Sequence, residues 1–143
     1  MPEGFERVHV EHEWYDGPRA GLADVGGVVH YFQAVPDSYR SEEFDDKFLV
    51  WPAGAGAFAL EREQWAIFVA WNSRYEAGMA SVDSHPGTGG VDPRYDELES
   101  LLAAHRVVPG DAMPLVAEWR PVDRQERYHV AGPDYLVKWH ADH

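Results

Sequence analysis

Residues 19–35 read Arg19-Ala20-Gly21-Leu22-Ala23-Asp24-Val25-Gly26-Gly27-Val28-Val29-His30-Tyr31-Phe32-Gln33-Ala34-Val35. Two runs, Arg19 to Val25 and Val28 to Val35, meet at Gly26-Gly27. Paired glycines accept the positive φ angles that a two-residue hairpin turn demands, so the stretch predicts two antiparallel strands, with Pro36 ending the pairing. His30 alternates onto the face of Val28, Phe32 and Ala34, where a histidine is usually packed with a satisfied nitrogen.

Toward the N-terminus, Val8, Val10, His12 and Trp14 alternate with Arg7, His9, Glu11 and Glu13, which predicts a half-buried strand over 5–14. Tyr15-Asp16-Gly17-Pro18 supplies the turn into the hairpin. Toward the C-terminus, Ser38 to Asp46 is an acidic surface loop and Lys47 to Trp51 a short strand stopped by Pro52. Ala53 to Ala57 reads as a flexible hinge.

The strongest helical pattern spans 58–77, where Leu60, Trp65, Ile67, Phe68, Trp71 and Tyr75 recur at helical spacing. Glu61 and Glu63 fall in its first turn, where negative charge suits the helix dipole. Ser84 to Gly90 is a loop by composition, and a phosphate-loop reading of Gly87-Thr88-Gly89-Gly90 lacks the lysine it requires. Asp92 caps a second helix with Pro93 at its first position and Tyr95, Leu98, Leu101 and Leu102 as its apolar stripe. Leu115, Ala117 and Trp119, then Tyr135, Val137 and Trp139, alternate as two closing strands. The order predicts one α+β domain over 1–143: an antiparallel sheet or small, partly open barrel of about five to six strands, with two helices inserted between the N-terminal strands and the C-terminal strand pair.

Composition bounds the function. The chain has 143 residues, no cysteine, and a formal charge of −13 from 25 acidic against 12 basic residues. Absent thiols exclude disulfides, thiol nucleophiles and cysteine-ligated metals, and favour a reducing compartment. The negative field repels phosphate backbones and anionic lipid. No stretch of eighteen apolar residues and no export signal occurs, so the expectation is a bacterial, cytoplasmic protein, monomeric or homodimeric, with no nucleic-acid or membrane partner.

The segment Trp14-Tyr15-Asp16-Gly17-Pro18-Arg19-Ala20-Gly21-Leu22-Ala23-Asp24 resembles one shared by a family of short uncharacterised bacterial proteins. The Trp-rich helix around Trp65 and Trp71, the His85-Pro86 pair and the Val137-Lys138-Trp139 strand extend the resemblance over most of the chain. It implies no activity and no catalytic residue.

Asp16 and Arg19 flank a Gly-Pro turn beside two aromatic rings, where an acid and a bidentate cation are presented to a ligand or simply hold the turn. Trp14, Tyr15, Asp16, Arg19, Asp24 and His30 are therefore the candidate binding residues, with the Arg19 guanidinium expected partly exposed. A metal reading of His9, Glu11 and Glu13 converges poorly along one flat strand, so neither metal nor cofactor is expected. The functional expectation is a non-catalytic binding or regulatory module for a protein partner or small ligand. The alternatives are a small hydrolase-like enzyme around Asp16, Arg19, Asp24 and His30, and an immunity-type or nucleic-acid-mimic inhibitor that meets a basic partner through Glu42, Glu43, Asp45 and Asp46.

Overall fold

The computed structural model describes residues 4–14, 18–35, 46–121 and 135–141. Six strands, β1 (Glu6–Trp14), β2 (Pro18–Val25), β3 (Val28–Ala34), β4 (Asp46–Pro52), β5 (Met113–Pro121) and β6 (Tyr135–Ala141), pair in sequence order into a closed barrel. Every neighbouring pair is antiparallel. Closure, in place of a partly open edge, comes from β6 returning to β1 with Glu6 opposite Val137 and Arg7 opposite Leu136. Two helices, α1 (Ala55–Glu76) and α2 (Pro93–Leu102), lie between β4 and β5, with 3-10 turns at Val82–Ser84 and Pro86–Thr88. Among the described residues no helix is long and apolar enough to cross a membrane.

Local chemistry explains these elements. Gly26 and Gly27 sit at φ values of 60° and 81°, as a twisted hairpin turn requires. Asp92 accepts the Tyr95 amide at 3.0 Å and so caps α2. Of Ala53 to Ala57, expected as a hinge, Ala53 and Gly54 join β4 to α1, while Ala55, Gly56 and Ala57 open the first turn of the helix. Alanine is the strongest helix former, and Ala57, 1% exposed, is small enough to seat that turn on the barrel.

A narrow barrel has room only for side chains. Val8, Ala23, Phe32, Phe48, Val50, Ala117 and Val137 fill it, with Trp119 and Trp139 packed against them. The rings of Phe32, Phe48, Trp119 and Trp139 meet tilted or edge-on at centroid distances of 5.6 to 6.2 Å, the arrangement their quadrupoles favour. A second core joins Val10, Leu22, Tyr31 and Trp51 on the outer wall to Ala57, Trp65 and Phe68 of α1.

The sequence pattern places Val8 and Val10 on one face, and the structure separates them. The register slips between the two, so Val8 enters the barrel while Val10 packs against α1. One extra residue in a strand turns the side chains beyond it, as a bulge does. β2 crosses so near that a Cβ on Gly21 would stand 1.8 Å from the Val10 carbonyl oxygen.

Gly21→Ala should therefore lower stability by about 3 kcal/mol or more, since neither backbone can yield freely. Gly110→Ala, with nothing within 4 Å of the added Cβ, should stay within about 0.5 kcal/mol. Urea titration of both variants checks the pair, and equal midpoints would show that β1 and β2 do not approach this closely.

Candidate ligand-binding site

α1 presents Ala57, Glu61, Gln64 and Trp65 to the barrel, a helical spacing that places one carboxylate in an apolar stripe. Glu61 is fully buried and needs partners, because an unpaired buried charge is costly. It accepts the Tyr31 hydroxyl at 2.9 Å and the Arg106 Nε and Nη2 at 2.8 and 2.7 Å. The same guanidinium donates to Gln64 Oε1 at 2.6 Å and Glu99 Oε1 at 2.9 Å, and Gln64 Nε2 donates to Glu99 at 2.8 Å. Arg106, just beyond α2, thereby ties both helices to β3. Burial, then the Glu61 charge, pushes the Tyr31 hydroxyl far above its ordinary pKa, so it remains a donor.

Beside this network lies a pocket of about 320 Å³ lined by Val10, Glu11, His12, Gln64, Trp65, Phe68, His85 and Tyr95. His12 stands with Nδ1 3.8 Å from Glu61 Oε1, beyond hydrogen-bond reach, and that buried nitrogen has no hydrogen-bond partner. Burial, then the Arg106 charge, lowers the His12 pKa to about 4 against the opposing pull of Glu61 and Glu99. The imidazole is therefore neutral at pH 7. His85 accepts the Gly87 amide on Nδ1 at 2.9 Å and packs on Trp71 and Phe68 at 4.5 and 5.6 Å. Burial, then Glu99, raises the Tyr95 hydroxyl, which stays protonated.

A larger, more open groove of about 490 Å³ lies beyond Trp71 at the end of α1. Its Asp92 is committed to the α2 cap, its Ser84 hydroxyl is bonded to Trp71 and the Ser81 carbonyl, and its Met79 is largely in solvent.

The residues singled out from sequence are placed differently. Tyr15, Asp16 and the Trp14 side chain lie outside the described residues, as do Glu42, Glu43 and Asp45. Arg19, expected partly exposed, is only 8% exposed and has a partner. Asp24 accepts from His9 Nε2 at 2.8 Å, which takes His9 away from any row with Glu11. His30 donates Nδ1–H to the Val28 carbonyl at 2.8 Å. His30 opposes Ala23, so the alternation of a strand turns it and Asp24 to opposite faces. Arg19 and Asp24 stand five positions apart on β2, roughly 16 Å along the strand. The structure does not gather Arg19, Asp24 and His30 in one cleft.

His12, Glu61, Gln64, Tyr95, Glu99 and Arg106 were not singled out. Their sequence signals are polar residues inside apolar patterns: His12 in line with Val8 and Val10, and Glu61 four residues from both Ala57 and Trp65. No family model, curated protein or solved structure matches this chain.

An imidazole that protonates at 6.5 when unfolded and about 4 when folded gives stability that is complete above pH 6.5 and is lost as pH falls toward 4. The loss attributable to His12 should approach ~3 kcal/mol. His12→Gln should flatten that stretch of the urea-midpoint profile, and an unchanged slope would contradict the burial of a neutral ring. Arg19→Ala should cost about 2 kcal/mol, since it removes a long side chain that is buried in the wall. An unchanged melting curve would instead place the guanidinium in solvent.

Proposed function

We propose that this chain is a non-catalytic binding module that takes a small ligand in the pocket between β1 and the two helices. The observation that carries the reading is a concave pocket walled by Trp65, Phe68 and Tyr95 with the neutral His12 imidazole in its lining. Small-molecule sites have this character: an apolar, largely preformed cleft with a few fixed polar groups. Its volume of about 320 Å³ suits one or two fused rings.

A small hydrolase is the second reading, favoured by an imidazole beside a carboxylate. Two features weigh against it. A base that protonates near pH 4 takes up a proton poorly at pH 7, where catalysis favours a pKa close to ambient. Among the described residues the lining contains no serine, threonine or cysteine to act as nucleophile. Recognition of a basic partner by the acidic 42–46 segment would use the charge of −13 and leave the pocket idle.

A fragment screen followed in two-dimensional NMR spectra tests the proposal. Binders should shift the Trp65 indole and the His12 and Tyr95 amides while leaving the Trp119 and Trp139 indoles of the barrel interior in place. Shifts confined to another surface, or no binder at all, would remove it.

A further inference from the structure

We infer that the pocket selects an uncharged, planar ligand that carries both a hydrogen-bond donor and an acceptor, of the aromatic carboxamide or nucleobase kind; this rests on the reading of the pocket as a ligand site. The exclusion of charge follows from how the ions around it are used. Glu61 already accepts three donors, from Tyr31 and Arg106. Arg106 spends its guanidinium on Glu61, Gln64 and Glu99. Glu99 holds Arg106 and Gln64 on one oxygen and is otherwise half in solvent, and Glu11 has a partner of its own. Among the described residues a charged ligand would find no uncommitted counter-ion to repay its desolvation, and burying an uncompensated charge is among the costliest steps in binding.

Two polar groups of the lining, His85 and His12, are neutral and complementary. With Nδ1 accepting from the Gly87 amide, the His85 ring proton is on Nε2, a donor. On His12 the arrangement is reversed. A bare lone pair facing Glu61 Oε1 at 3.8 Å would be repelled, so the proton belongs on Nδ1 and the Nε2 lone pair is the acceptor. Both histidines line the same pocket as Trp65, Phe68 and Tyr95, whose rings offer flat faces. Those faces favour a stacked or edge-on ring. A primary amide attached to a ring offers the matching N–H and carbonyl.

Benzamide, benzoate and benzamidine share size and shape and differ in charge, so calorimetric titration of the full chain with each at pH 7 tests the inference, with NMR shifts locating the site. Benzamide should bind about tenfold or more tighter than either ion, shifting the Trp65 indole and the Tyr95 amide. His12→Leu and His85→Phe should each weaken benzamide by about fivefold, the worth of one neutral hydrogen bond, without introducing affinity for benzoate. The comparison of the three compounds on the native chain stands even if either variant fails to fold. Preference for benzamidine or benzoate at these resonances, or equal binding of all three, would overturn the choice of an uncharged ligand while leaving the pocket a ligand site. Failure of all three to shift any pocket resonance, while other fragments do so, would also overturn it. If no compound of any kind shifts them, the binding-module reading falls as well.

Discussion

The burial of one carboxylate, Glu61, organises the molecule. It has no exposed surface, and a charge so placed is tolerated only with near-complete hydrogen bonding. Tyr31 brings a donor from the barrel wall and Arg106 brings two from beyond α2, so the helical layer can seat only where all three meet. Apolar contacts among Val10, Leu22, Trp51 and Trp65 supply area, but such contacts tolerate sliding. A bidentate guanidinium–carboxylate pair does not, because its two parallel bonds set angle as well as distance. Burial chiefly holds His12 neutral, with Arg106 adding to it and Glu61 opposing it, so the guanidinium that seats the helices also bears on the chemistry of the pocket.

The barrel imposes the second constraint. Its interior is closed by four aromatic rings, and Trp139 donates its indole N–H to the Asp24 carbonyl at 3.0 Å, pinning β6 to β2 across the interior. The pocket lies outside this packed interior, between the barrel wall and the helices. The slip in β1 makes this feasible: Val8 stays with the interior, while Val10 and His12 are delivered to the helices. Gly21 permits the slip by letting β2 approach the Val10 carbonyl.

What was legible in sequence is what local chemistry decides. Gly26-Gly27 and Asp92-Pro93 dictate their turn and cap whatever surrounds them, and the alternating closing strands follow from period alone. Closure between β1 and β6 depends on residues from opposite ends of the chain, such as Glu6 and Val137 or Arg7 and Leu136, and no local pattern encodes it. Glu61 reads as a dipole-stabilising residue only if α1 starts near Phe58. Once Ala55 begins the helix, Glu61 lies in the second turn and its position on the buried face takes over. The turn around Arg19 drew attention because its residues are chemically conspicuous. The pocket residues come from four separate segments, and only the fold makes them neighbours.

That assembly bears on why a small barrel would keep a costly buried ion pair. Hydrophobic replacements of similar volume are often as stabilising as such pairs, so stability alone is a weak reason for one. Preorganisation is a stronger reason. Gln64 is held by Arg106 on its oxygen and by Glu99 on its nitrogen, and Arg106 is held in turn by Glu61. The side chain that lines the pocket therefore has little rotamer freedom left to lose when a ligand arrives, and binding that orders fewer groups retains more of its contact energy. Tyr31, made a permanent donor, removes a further source of variation from the wall behind it. The ionic network thus acts as a rigid backing for the pocket wall, its charges spent on one another.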